Sequence, residues 1–438
     1  MSNFHAMLEE TGGSFRNSAR LPVNLRLADL RRLADTLAKE QDRIVQAIHA
    51  DLGKRRSEIL DDELLPLRNN IRDLVRSLPR LARPRRRAGF FAGSERIMPG
   101  PYGLVLIRGY WSDPVRSALE PLAAALAAGN RVVLRPAQQT PVSAQLLTEI
   151  LEPLFPDGEV IVADREVADR ELKAEHFDLI VGTGALADTG STPFVSIPLG
   201  KNPVIVDASA NIRRAARRIV RAKFRNAGQS PDAPDCVLAH AGIRERLTYE
   251  MHREIRVRLS GDQEQSAEPF RVLNDERFDA LRKLLDRGRL VDGGEFDRAR
   301  RYIAPTVLVG ISPADPIMRE VIAGPLLPVL DFQTLNEVAE IANGFGAPPP
   351  AIFCFGNRRA VRKLLSRIRS GSAVVNGCIS RTDYRWCGGG AAGQNVYTSR
   401  DAFNVFSRLR PVGIHPRFLP EIDLAAWWKA LIRKLSCR

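Results

Sequence analysis

From Tyr102 onward the chain alternates short apolar runs with helical stretches, and this pattern leaves few folds open. Leu104 to Ile107 reads as a strand, followed by a helix from about Val115 to Ala128. Gly129-Asn130 closes that helix, with glycine suited to the left-handed cap. Arg131 to Leu134 is the next strand, and a helix follows through Leu151. Val160 to Ala163 and Asp178 to Val181 are two more strands. Regular alternation of strand and helix means a parallel, doubly wound sheet. Such sheets bind nucleotides at the carboxyl ends of their strands.

The pattern repeats from Pro203. Val204 to Val206, Cys236 to Ala239, Thr306 to Val309, Pro328 to Phe332, Ile352 to Phe355 and Ala373 to Val375 read as strands. Helices fall at about 212–225, 243–259, 276–287, 335–343 and 358–369. In front of both regions, Leu27, Leu30, Leu37, Ile44 and Ile48, and then Leu67, Ile71, Leu74 and Leu78, lie at helical spacing. Pro79 and Pro84 are expected to end the second of these stretches.

Composition narrows the function classes. The 438 residues are 44% hydrophobic and 26% charged, which is ordinary for a soluble globular protein. The net charge of +14 comes largely from arginine. Its one dense run, Arg80 to Arg87, lacks the interleaved aromatic residues of single-strand binders. The charge therefore reads as solvated faces, and nucleic acid is not an expected partner. Five cysteines without CxxC spacing and only six histidines argue against structural zinc, any other metal site, or a disulfide scaffold. A reducing, cytoplasmic location fits. Met1 to Glu10 is polar and does not resemble a signal peptide, and no run of 18 apolar residues spans a bilayer.

The tail is different. Leu424, Trp427, Trp428, Leu431 and Leu435 share one helical face, with Lys429 and Arg433 on another. Two readings stay open. The segment lies peripherally on an anionic membrane, or it docks on the protein or a partner subunit.

Several stretches resemble the class 3 aldehyde dehydrogenases, the fatty aldehyde dehydrogenase-like type. They are Ala50-Asp51-Leu52-Gly53-Lys54, Gly109-Tyr110-Trp111-Ser112-Asp113-Pro114, Ala127 to Pro136, Phe224 to Gln229, Arg301 to Thr306 and Phe403 to Ser407. The resemblance is colinear from about residue 20 to 410. It implies an α/β aldehyde dehydrogenase fold. Residues 1–197 are then a Rossmann-like NAD(P)-binding-type domain with N-terminal helices. Residues 198–386 are a catalytic-type α/β domain, and 387–438 are a C-terminal oligomerisation arm and tail. It also implies an NAD or NADP site and a dimer formed through a helix and a strand of each subunit.

At the residues that carry the chemistry, the likeness fails. Aldehyde oxidation in this family needs a thiolate, in Gly-Gln-x-Cys. Here the stretch reads Gly228-Gln229-Ser230-Pro231, and Pro231 lacks both a nucleophile and a backbone N–H. The family's general base is a glutamate, and Pro198 of Ile197-Pro198-Leu199-Gly200-Lys201 stands there. Ser112 stands for the asparagine that stabilises the oxyanion, and its shorter side chain weakens that hole. In the cofactor site, Arg135-Pro136-Ala137-Gln138 keeps a cation and loses a carboxylate. Thr183-Gly184 opens a phosphate-binding turn, but only seven residues separate Gly190 from Pro198, too few for the family's full helix. Val321 replaces the glutamate that grips the nicotinamide ribose.

No other residue takes over the nucleophile's role. Cys236 begins a strand and reads as a buried apolar side chain. Ser230 has no identifiable base, and Cys387 sits in a Gly-rich loop. Five or more losses at functional positions point to released catalytic constraint. The chain is expected to be inactive in aldehyde oxidation and to act as a binding or scaffold subunit, in a homodimer or in a heterodimer with an active relative. The alternative is an NAD(P)-dependent oxidoreductase with altered chemistry in a specialised or lipid-aldehyde pathway.

Overall fold

The computed structural model describes residues 21–87, 94–163, 169–183, 192–197, 200–262, 271–286, 289–378 and 399–414, together with His5, Leu8 and Val167. Pro198, Gly184, Cys387 and the tail beyond residue 414 lie outside the described residues.

Three sheets organise the chain. The first contains β3 (Leu104–Arg108), β4 (Arg131–Arg135), β5 (Val160–Val162), β6 (Leu179–Thr183) and β7 (Phe194–Ile197), in the order β5-β4-β3-β6-β7, and every pair is parallel. The second contains β8 (Pro203–Val206), β9 (Cys236–His240), β10 (Arg289–Asp292), β13 (Thr306–Val309), β14 (Leu326–Phe332), β15 (Ala351–Phe355) and β16 (Ser372–Val375). Their order is β10-β13-β14-β9-β8-β15-β16, parallel throughout except at the edge strand β10. The short hairpin β11 (Phe296–Asp297) and β12 (Tyr302–Ile303) stands apart. Strands β8, β13 and β15 are buried at every position, as expected where helices cover both faces of a sheet.

The third sheet is antiparallel. It joins β1 (Arg85–Arg87) and β2 (Ser94–Pro101) to β17 (Ser407–Ile414). This sheet therefore joins residues from the front of the chain to residues near its end. Asn130 ties it to the first sheet. Its Nδ2 donates to the carbonyls of Ala125 and Phe406, and its Oδ1 accepts from the backbone N–H groups of Tyr102 and Gly103. Gly103 has φ +141°, and a Cβ there would come within 2.0 Å of the Asp178 carboxylate that accepts from Leu104 N–H.

The helices on the first sheet explain its core. α1 (Val23–Lys39), α2 (Gln41–Leu52) and α3 (Leu65–Leu81) precede α4 (Pro114–Ala128), all of whose residues are buried. The helix is buried on every side, and its two charged residues, Arg116 and Glu120, pair with each other at 3.1 Å. Gly129, at φ +91°, ends α4 in the left-handed conformation. The N-terminus of α4 has no side-chain cap of its own. Glu63 supplies one from a π-helical turn, Leu60–Leu64, with Oε2 accepting from Val115 and Arg116 N–H at 3.1 and 3.2 Å.

The sequence misplaces some boundaries. Pro79 does not end α3, which runs to Leu81, because a proline so near the C-terminus removes only one intrahelical bond. α6 (Ile212–Lys223) stops before Phe224, where the backbone leaves the helix, and follows α5 (Pro141–Leu154) in the chain. After α7 (Arg244–Asp262), α8 (Asp275–Leu285) and α9 (Leu335–Asn343), α10 ends early, spanning Arg358–Leu365. Strands β7 and β17 were not anticipated. The parallel crossover from β6 to β7 uses only residues 184–193. Among the described residues, no helix is long and apolar enough to cross a membrane.

Candidate active site

A cavity of about 410 Å³ opens where the two parallel sheets meet. That size falls within the range of small-molecule pockets. Trp111 follows β3, Gly200 precedes β8, Pro231 precedes β9, Arg277 lies on the first turn of α8, and Val321 precedes β14; all line it. The structure thus gathers Pro231 and Val321 with the neighbour of Ser112 around one space.

The wall bearing Pro231 is rigidly held. After α6 the backbone turns left-handed at Asn226 (φ 47°), Ala227 (φ 51°) and Gly228 (φ 70°). Such strain persists only where the surroundings enforce it. Gly228 is required by space as well, since a Cβ would meet the Gly324 carbonyl at 2.3 Å. Asn226 Nδ2 donates to Ser112 O, and Gln229 Nε2 donates to the Asn226 and Arg271 carbonyls. Gln229 Oε1 accepts from Leu273 N–H at 2.9 Å. Asn202 Nδ2 donates to the carbonyls of Pro231 and Ala233 at 2.8 and 3.2 Å.

A buried ion pair braces the next wall. Lys201 Nζ donates to Asp235 Oδ2 at 2.5 Å and to the carbonyls of Ile317 and Glu320. The other oxygen of Asp235 accepts from Ile322 N–H. Both ions are therefore well partnered, which is the condition for a buried pair to be tolerated. Arg277 Nη2 donates to the carbonyls of Val321 and Ile322.

Ser112 lies next to the cavity-lining Trp111 in the chain. It is fully buried, its Oγ donates to Asp113 Oδ2 at 2.9 Å, and it does not line the cavity. The hydroxyl expected to serve a weakened oxyanion hole is held by a neighbouring carboxylate instead. Its carbonyl accepts from Lys54 Nζ at 2.5 Å. That ammonium also contacts Glu63 Oε1 at 2.8 Å and Asp113 Oδ1 at 3.4 Å. Burial alone would push Lys54 down, but the Glu63 and Asp113 carboxylates outweigh it and hold the ammonium above its usual range.

Three of the residues expected at a dinucleotide site, Arg135, Gln138 and Thr183, are described. Arg135 is buried, with Nη1 donating to the Ala163 carbonyl at 3.2 Å. Gln138 is exposed and uncharged where a ribose is expected to meet a carboxylate. Thr183 ends β6 half-buried.

Among the described residues no thiol lines the cavity. Cys236, at the start of β9, is fully buried, and burial pushes its thiol up to about 12. Sequence reasoning missed Lys223, the last residue of α6. Its ammonium is fully buried, with no hydrogen-bond partner among the described residues. Burial pulls it down to about 8, opposed by Asp235 and aided by Lys201. The signal was present: Ala215, Ala216, Ile219, Val220 and Lys223 are the buried stripe of α6, and a lysine on such a stripe is unusual.

A two-sheet α/β chain with its cavity between the sheets and a strained Asn-Ala-Gly-Gln loop on one wall defines a class. The family model for the aldehyde dehydrogenase family matches residues 2–412, and the chain belongs to that family. It is 32% identical over 406 residues to a 4,4'-diapolycopene-4,4'-dial dehydrogenase of Cytobacillus firmus, covering 88% of each chain. It is 28% identical over 415 residues to aldehyde dehydrogenase family 3 member A2 of Rattus norvegicus, covering 91% of this chain and 86% of that one. The substrate-bound structure of Staphylococcus aureus AldH superimposes with a TM-score of 0.91 at 25% identity, covering 99% of this chain and 100% of that one.

Proposed function

We propose that this family member binds ligands in the inter-sheet cavity without oxidising aldehydes, and that it serves as a binding or scaffold subunit. The observation that carries the reading is Pro231. It sits on the cavity wall where the resemblance places the nucleophile, and no described thiol replaces it. Retention of the strained loop without its nucleophile supports a conserved shape with altered use. Pro231→Cys alone is expected to leave aldehyde oxidation undetected, because a thiol does not supply the missing base at Pro198 or the ribose contacts at Gln138 and Val321. Assay with NAD and NADP checks this, and full recovery from that one change would contradict the reading.

The same reading gives the chain a partner, either a second copy or an active relative. Edge strand β16 supports it: among the described residues the strand ends the seven-stranded sheet, with Val375 49% exposed, and an open edge invites pairing. The tail's Trp427 and Trp428 beside Lys429 and Arg433 support a peripheral, salt-sensitive membrane contact. The full chain is expected to float with anionic vesicles at low salt, and a version ending at Pro420 is expected to stay behind. Equal flotation removes the membrane role, and loss of dimer on truncation assigns the tail to the subunit interface.

A further inference from the structure

The inter-sheet cavity has mostly apolar walls, to which Trp111, Pro231, Leu273, Ala280 and Val321 contribute. The Trp111 ring lies 5.3 Å from that of Tyr110, which lines the same space. Among the described residues Arg277 is the one cation on the lining. Its Nη2 donates to the Val321 and Ile322 carbonyls. A guanidinium carries five N–H donors and accepts nothing. Nε and Nη1 have no hydrogen-bond partner among the described residues, so part of that capacity is unspent.

The charges around this wall favour an anion. Ile322 links them: its carbonyl accepts from Arg277, and its N–H donates to Asp235, which also holds Lys201. Lys223 bears on the same group through its charge alone, since its buried ammonium does not line the cavity. One carboxylate, Asp235, thus faces three cations, and both of its oxygens are already engaged. Glu276 lines the cavity too, but it is exposed, and water screens it more than it screens the buried cations.

We infer that the cavity selects small monocarboxylates with an apolar body. This rests on the reading of the cavity as a ligand site. The carboxylate takes charge-assisted hydrogen bonds from the Arg277 donors that the two carbonyls leave unused. The body packs on Trp111, Leu273 and Val321. A pocket of apolar walls with a few placed polar groups is the usual form of a small-molecule site. A single cation suits a carboxylate, whereas a phosphoryl group calls for more donors than this wall supplies. A cationic head would meet Arg277 and the two lysines behind it.

Three compounds that share a phenyl ring separate the head groups. Benzoate, benzyl alcohol and benzylamine are titrated into the full chain at pH 7 against the fluorescence change that Trp111→Phe removes. Benzoate is expected to bind at least about tenfold more tightly than the alcohol, the scale of a hydrogen bond to a charged group, and the amine most weakly. Arg277→Gln is expected to bring benzoate down to the alcohol while the alcohol's own affinity stays unchanged. Arg277→Lys, which keeps the charge, is expected to retain part of the preference. If the three compounds bind the natural chain equally, or the amine binds best, the carboxylate inference is overturned while the cavity reading stands. Equal weakening of all three in both variants would leave Arg277 a structural role and overturn the inference as well. If none of them perturbs Trp111 at millimolar concentration, both readings fail.

Discussion

Lys54→Met is expected to destabilise the protein by about 3–5 kcal/mol, the range for removing one partner of a buried ion pair. Lys54 and Glu63 are 2% and 0% exposed at their side chains and lie 2.8 Å apart. Removing the ammonium leaves a buried carboxylate with only the Val115 and Arg116 N–H groups to accept from. It also frees the Ser112 carbonyl, which Lys54 and Asn226 share, and so loosens the strut from α4 to the cavity wall. Denaturant unfolding reads this as a fall in the first transition. Adding Glu63→Gln is expected to recover a large part of the loss, because the uncompensated charge goes while an acceptor for the α4 N-terminus remains. A double variant no more stable than the single one would show that packing, not charge, is lost.

The opposite sign is expected at Lys223. An ammonium buried without a partner opposes folding. Its folded-state value, near 8, lies below the unfolded value of 10.5. Above the unfolded value the amine is neutral in both states and carries no penalty. As pH falls from about 10.5 to about 8, the unfolded chain takes up a proton that the folded chain resists, and stability is lost. Below 8 the penalty is constant, on the order of 3 kcal/mol. Lys223→Met is therefore expected to be more stable than the natural chain at pH 7 by roughly that amount, with the advantage shrinking as pH rises towards 10. The difference between the two proteins' unfolding midpoints across that range checks it. A pH-independent difference would mean that Lys223 finds a partner in solution.

The fold was legible because parallel strands buried on both faces write themselves as unbroken apolar runs. Thr306 to Val309 and the α9 helix at 335–343 are placed to the residue. Strand β17 was not legible. Ser407–Ile414 carries two arginines and a proline, and it forms by pairing with β2 across more than three hundred residues, which no local pattern records. At the site, motif reading brought Pro231 and Val321 to one cavity. The bond that holds the Ser112 hydroxyl comes from the adjacent Asp113, and no spacing rule foretells it. Motif reading missed the Lys54–Glu63 strut because that pairing depends on a π-helical turn, and it passed over Lys223 although the apolar stripe of α6 contains it.

The central claim is that the cavity binds without oxidising. The most direct measurement is NADH or NADPH formation by the purified full chain, with either dinucleotide at millimolar concentration and aliphatic and aromatic aldehydes as substrates. The account expects no turnover with any pair, and no saturable change in intrinsic fluorescence with either dinucleotide. A turnover of even about 1 per second, ordinary for an enzyme, would contradict it.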